Sequence, residues 1–584
     1  MQQTDPTHTT EHPPATRPYP LRRRLLHIAL ILLVLAALIF GPPLVNLSRY
    51  QRRIATSIGN SLGRPVHLDR VSLTLLPLPG FTIENLVVGE DPAFGYEPII
   101  RANTVHASLR FASLWRRQIE FSTIRFTEPS VNLVHAANGQ WNIEGILLQA
   151  SRIDAAPTAQ ISAGPAPRFP YIEATGARLN FKQESEKLPF SLVEANFALW
   201  LPDPHQWHLR LRARPTRTDS SVSDTGTIEL ESTLSAAPSL SQVPLNLQGQ
   251  WRSAPLGETT RVLFGHDAGW RGEMNLSANI RGTLGESAVT ARLHLSDTRR
   301  ADFVPQQSLD AQAECFATAT GLFHAFEDLR CSWPPAATAN TPAIALTGSI
   351  PNVHQPRTAT LQAGTSGIPA STLLSWLRVA TPQVPANLSA SGTLSGSLSY
   401  NAEGQAGGNA DGQAPPQWQG EFTLHDAGLT LPQTDAGFQT PFQTKAQPST
   451  DSLVTGDLLL RSPIRTADPR PRHRAHQHTP ASAPGFQLAP ASLDLGGREP
   501  ATLEGHFDAE GYTLHITGTA TSDRLQTLAQ AVPALSEALT EALAPTHPTG
   551  PFHIDVTATR PWGTPPTPRA ASTTQPPPPS NPRH

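Results

Sequence analysis

From Val66 onward this chain alternates apolar with polar or small residues, a period of two that suits an extended chain with one apolar face and little else. Val66 and Leu68, then Val71, Leu73 and Leu75, then Phe81 and Ile83, then Leu86 and Val88 follow it. So do Val105, Ala107, Leu109 and Phe111, then Ile119 and Phe121, Ile124 and Phe126, and Val131 and Leu133. Many such segments, with few helical patterns to cover them, predict a mostly β fold of antiparallel sheet with a few short helices. The apolar face of such a sheet must be hidden against a second sheet, against itself, or against an apolar ligand.

Ahead of the strands lies a different element. The hydrophobic run from Leu25 to Phe40 continues through Gly41, Pro42 and Pro43 to Leu47, reaching the roughly 20 residues that a bilayer core requires. Arg22, Arg23 and Arg24 before it would also suit a cleavable signal peptide, but no small-x-small cleavage site follows, so residues 25–47 read as an uncleaved transmembrane signal anchor. Basic residues flank the span on both sides, Arg17 and the Arg22–Arg24 triplet before it and Arg49, Arg52, Arg53 and Arg64 after it, so charge alone leaves its direction open. Tyr50, Ile54, Ile58 and Leu62 then recur every four residues, predicting an amphipathic helix over 48–62 that Gly63 and Pro65 end.

Only 16% of the residues are charged and the formal net charge is -3, which gives no polyanion-binding signature and argues against a nucleic-acid partner. The two cysteines, Cys315 and Cys331, flank a segment with a turn at Gly321; a bridge across neighbouring strands and a pair of reduced, buried small side chains are both compatible with that layout. Residues 151–170, 401–416 and 467–484 read as linkers, and the Pro-rich stretch 564–584 as a disordered tail. A repeat also shows: NLSANIRGTL from Asn275 and NLSASGTL from Asn387 each follow a short apolar segment, and a looser copy pairs a helical stretch from Ser522 with HIDVTATRPWG from His553.

Chemistry has little purchase in this sequence. It holds no G-x-S-x-G, H-E-x-x-H, Walker-type or C-x-x-C motif, so no catalytic residue, cofactor or metal is predicted. His473, His476 and His478 sit among Pro and Arg and read as a solvated loop rather than a metal site, and Trp115, Arg116 and Arg117 as a strand-end turn, with contact to lipid headgroups as the alternative. A hydrolase would require Ser, His and Asp side chains to converge from distant positions.

The stretch from Ile54 to Leu148 resembles the N-terminal region of the AsmA family of bacterial envelope proteins. Gly63 and Arg64 match its helix-ending pair, Pro77 to Phe81 its Pro-x-Pro-Gly turn, and Glu128, Pro129, Ser130 and Asn132 its "ePxvnl" strand. Asn138, Gly139, Trp141 and Asn142 match the "dGxwN" turn, and GWRGEMNLSANIRGTLG is similar to the family's C-terminal core. The resemblance implies a cytoplasmic tail (1–24), an inner-membrane anchor (25–47) and a periplasmic body. That body would comprise an AsmA-like N-terminal region (48–150), a β-rich body (171–400) and a C-terminal region (417–563). It further implies an elongated, curved sheet with an apolar groove, and a role in outer-membrane biogenesis with phospholipid as partner. The expected groove lining is Leu73, Leu75, Phe81, Ile83, Leu109, Phe111, Phe121 and Phe126. The competing expectation is an assembly factor whose partners are outer-membrane proteins and whose groove is a closed core.

Overall fold

The computed structural model describes residues 21–40, 51–110, 121–150, 170–335, 342–401, 417–431, 452–465, 482–543 and 550–562, apart from 53–54, 57, 60–61, 75–77, 138, 204, 306–307, 354, 463 and 484. The three linkers lie almost wholly outside these residues, and the 564–584 tail, Trp115 to Arg117 and the three linker histidines lie wholly outside them. Twenty-five strands are hydrogen-bonded into one mixed sheet, and the chain divides into two compact units, Met1–Leu209 and Arg210–His584.

The first unit opens with the helix Leu21–Phe40, whose large apolar side chains from Leu25 to Leu35 are exposed. Its side chains are described only over 25–36, and among the described residues no helix is long and apolar enough to cross a membrane. Described positions between 51 and 62 are helical as expected, and Ala55, Ile58 and Leu62 pack on the unit's core, while Tyr50 and Ile54 lie outside the described residues. Gly63 (φ 65°) ends this helix, letting the Arg64 N–H reach the Gly59 carbonyl at 3.2 Å; only a left-handed residue allows that closure, which is why glycine stands there.

The strands Val66–His67 and Arg70–Thr74 pair with Gly80–Val88, which pairs with Ile100–Leu109. The alternations at Phe81/Ile83 and Leu86/Val88 thus belong to one strand. Asn85 (φ 53°) separates them, and the shift from odd to even positions lets Ile83 and Leu86 both reach the core. Phe121–Thr127 and Ser130–His135 lie end to end beside Tyr171–Gln183 and run parallel to it, a correction to the purely antiparallel expectation. The cause is the connection from His135 to Tyr171, long enough for a crossover and carrying the helix Asn142–Ala150. At the junction of the two short strands the Glu128 N–H binds the Thr175 carbonyl at 2.8 Å, and the Arg178 N–H binds that of Pro129 at 2.8 Å.

The second unit is an antiparallel meander. From Thr227–Ser235 through Pro244–Pro255, Trp270–Thr283, Glu286–Arg300, Ala311–Thr320, Ala325–Trp333, Ala343–Ile350, Thr360–Pro369, Ser389–Asn401 and Gln417–Thr430, each strand pairs with the next. Among the described residues α-helices stand between strands of this unit at three places, and these are the places of the sequence repeat. Leu256–Phe264 joins Pro244–Pro255 to Trp270–Thr283, Ala370–Ala380 joins Thr360–Pro369 to Ser389–Asn401, and Ser522–Ala531 with Ser536–Leu543 joins Gly511–Ala520 to Phe552–Pro561. Pro255 and Pro369 stand in extended conformation directly before the first two helices. A proline there ends the ladder and presets the turn at no cost to helical hydrogen bonding.

Bulges recur along the meander, and several share one device. An extra residue with positive φ leaves its N–H without a ladder partner, and a side chain from the neighbouring strand or turn accepts it. The Ser253 N–H goes to Asn275 Oδ1 at 2.9 Å, Asp297 N–H to Asp310 Oδ1 at 2.9 Å, and Asp426 N–H to Asp457 Oδ1 at 3.0 Å. Bulges bend and twist a strand, so a series of them curves this part of the sheet. The helix Ala370–Ala380 registers that curvature: it touches Ser389–Asn401 and also Glu286–Arg300, which lies five strands away, about 24 Å off in a flat sheet.

Candidate functional site

In the first unit, residues picked out by motif converge on a buried polar cluster. The Arg64 guanidinium lies 3.6 Å from the Glu90 carboxylate and 3.2 Å from that of Asp91, and donates to the Asn142 carbonyl at 3.3 Å. Asn142 is fully buried; its amide donates to Glu90 and, at 2.9 Å, to the Asn132 carbonyl, while its Oδ1 accepts the Val134 N–H at 3.0 Å. Asn180 reaches Asn132 Oδ1 at 3.0 Å and Ser130 Oγ at 3.2 Å, and Glu144 accepts the Trp141 N–H at 3.1 Å, closing the first turn of its helix. Trp141 packs against His135, their ring centroids 4.9 Å apart. These contacts fasten the helix Asn142–Ala150 and the Gly63–Arg64 segment to the sheet. Their work is structural. Asn138 lies outside the described residues.

The expected groove residues have mixed placements. Ile83 is 6% exposed and part of the core, with Phe81 and Phe126 packed against it; the rings of Phe81 and Phe121 meet edge to face at 6.4 Å. Leu73 and Leu109 are half-buried, and Leu75 and Phe111 lie outside the described residues. A cleft of about 800 Å³ opens at the start of the unit, lined by Gln51, Arg52, Thr56, Arg64, His67 and Leu68 among others.

A further apolar surface lies in the second unit, at positions the sequence did not assign to a groove. Ladder register carries one row across ten strands: Leu230, Gly249, Ala278, Ala291, Cys315, Cys331, Leu346, Ala363, Leu398 and Gly420. Ten strands at about 4.8 Å spacing make this row roughly 43 Å long, against about 15 Å for the acyl half of a bilayer core. Rows two residues to either side bring Leu276 opposite Leu293 and Ile280 opposite Val289. The next residues along each strand face the other way and are mostly polar, such as Arg292, Glu314, Thr347 and Gln362, with Phe316 an exposed exception. Cys315 and Cys331 are joined in a disulfide at the middle of the row.

Covering distinguishes this face from the rest of the unit. Near the C-terminus the helices Ser522–Ala531 and Ser536–Leu543 roof the strands, and Leu493, Ile516, Leu525 and Leu539 are 0% exposed. On the meander face Leu276, Ile280, Leu293, Leu346, Leu361 and Leu394 remain half-buried. The helix Ala370–Ala380 reaches its edge, where Trp376 meets Trp333 edge to face at 5.4 Å. The sequence signal for this surface is the same period of two.

The opposite, polar face holds titratable clusters. His515 lies between Asp555, 2.8 Å from Nε2, and Glu504, 3.1 Å from Nδ1, and hydrogen bonds to Asp555 and then Glu504 raise its pKa above the usual histidine value. His425 contacts Ser395 Oγ through Nε2 at 2.9 Å and Asp457 Oδ2 through Nδ1 at 3.2 Å. The Asp426 N–H, and after it His425, hold the Asp457 carboxyl below the usual carboxylate range. Sequence spacing could not reveal this trio, because its members come from two strands and a turn about thirty residues apart. Among the described residues no group of His, Cys, Asp and Glu is arranged to hold a metal.

Comparison with known proteins agrees with the motif reading: residues 21–187 match the model of the AsmA family. No curated protein and no solved structure matches the chain.

Proposed function

We propose that this chain, AsmA-like over residues 21–187, binds phospholipid acyl chains on the uncovered apolar face of its second unit and serves the bacterial outer membrane by carrying or holding them. One observation carries the reading: a continuous apolar row crosses ten strands and is half-buried from Leu230 through Ala363, while the roofed part of the same unit is sealed. Each methylene laid on such a face gains about 0.8 kcal/mol, so an acyl chain of ordinary length recovers much of the free energy lost on leaving a bilayer. The work asked of the surface is hydrophobic and needs no reacting group. In this reading the apolar run from Leu25 anchors the chain in the inner membrane, with the N-terminus cytoplasmic and the residues from 48 onward periplasmic. The cleft beside Arg52 then stands close to the bilayer surface, with an exposed guanidinium suited to headgroup phosphate.

Photocrosslinking side chains at Leu276, Leu346 and Leu394 of the full-length chain in its native membrane test this. Phospholipid adducts at all three positions are expected, with none at the outward-facing Thr347. Adducts to protein alone would overturn the lipid reading and favour an assembly factor that docks polypeptide on the same face.

A further inference from the structure

We propose that Ser395, His425 and Asp457 form an acyl-transfer site, in which Ser395 Oγ takes the acyl group of a carboxylic ester. The order of contacts is that of an activated nucleophile: hydroxyl to imidazole at 2.9 Å, imidazole to carboxylate at 3.2 Å. Asp457 is itself held, because its other oxygen accepts the Asp426 N–H of the neighbouring bulge at 3.0 Å. An ionised carboxylate on Nδ1 fixes the proton there and leaves the Nε2 lone pair directed at Ser395. The cluster therefore meets the geometric requirement for nucleophile, base and orienting group together.

Its surroundings leave room for a substrate. Ser395 lies on the polar face, since its neighbours Leu394 and Gly396 belong to the apolar side, so the site is independent of the lipid surface. Beside it the ladder to Thr360–Pro369 breaks between Thr365 and Ile368. Gly367 occupies that break with φ 65° and no atom within 4 Å of where a Cβ would stand. The side chains of His425 and Asp457 are about half exposed, which admits a water-borne ester and also water for the second step. The other histidine cluster offers no such order, since His515 is held between two carboxylates.

The reaction balances without a co-reactant other than water. Ser395 Oγ attacks the ester carbonyl as its proton passes to His425 Nε2; the C–O bond to the alcohol breaks, and that proton leaves with the alcohol. Water, deprotonated by the same nitrogen, then releases the acid and restores the serine.

The full chain incubated with p-nitrophenyl acetate provides the test, with p-nitrophenolate release followed by absorbance and the acetylated residue found by peptide mass spectrometry. Ser397 and Ser399 share the strand and face of Ser395 but not the histidine, and serve as internal controls. Acetylation at Ser395 is expected to exceed that at either control at least tenfold. It should vanish in S395A and fall at least tenfold in H425Q and D457N, all three at exposed or half-exposed positions and with circular dichroism unchanged. Equal acetylation of the three serines, or acetylation of Ser395 that persists in H425Q, would overturn the proposal.

Discussion

Asn142 shows what a single buried side chain does here. It has no exposure, and its three hydrogen bonds tie together the Glu90 carboxylate, the strand Ser130–His135 and the start of its own helix. Asn142→Ala leaves the Val134 N–H and part of the Glu90 carboxylate unpaired, so we expect a loss of about 2–4 kcal/mol, seen as a lower urea midpoint at unchanged slope. The sequence motif named Asn142, Asn132 and Arg64 but not Glu90, because that residue reaches them only through the folded loop after Gly80–Val88. His515 carries a prediction of the opposite kind. Its folded pKa is raised by Asp555 and Glu504, so its contribution to stability is complete below the unfolded value of about 6.5 and declines as pH rises through the folded value. Thermal melts of the wild type and of His515→Gln should differ most in mild acid and converge as the pH rises past neutrality. A difference that grows with pH would contradict this sign.

At the scale of elements, strands and helices were legible to different degrees for a physical reason. Period two survives in sequence wherever one face is apolar, so the strands and the helix-plus-strand repeat could be read directly, down to the apolar segments that became Leu256–Phe264 and Ala370–Ala380. Parallel pairing and bulges could not, because they depend on which distant residue lies alongside. Asn275 illustrates this: in sequence it belongs to a repeat, and in the structure its side chain captures the N–H of Ser253 on the neighbouring strand. Asn275→Leu should leave that N–H to water at the bulge and cost about 0.5–1.5 kcal/mol, with hydrogen exchange accelerating first around Ser253 and Ala254. Exchange unchanged at those amides would mean the bulge needs no such partner.

For the whole molecule the open question of the sequence was what hides the apolar faces, and the two units answer it differently. The first packs Ile83, Phe81 and Phe126 of its expected groove residues into a core, whereas in the second no second layer among the described residues covers the long apolar row. Alternation alone cannot separate these outcomes, since a covered and an uncovered strand share one pattern; the difference lies in where helices fall. Leu346 and Thr347 turn this into a direct comparison, being adjacent on one strand and facing opposite sides. An aspartate at the acyl-facing position must be desolvated when lipid is bound, at about 3 kcal/mol, which is roughly a hundredfold in the binding equilibrium. Leu346→Asp should therefore strip phospholipid from the purified full-length chain, while Thr347→Asp, in water whether or not lipid is present, should retain it and change stability by no more than about 0.5 kcal/mol. Quantifying phospholipid per chain by mass spectrometry decides between them. Equal retention by both variants would mean that the apolar row is not where lipid lies.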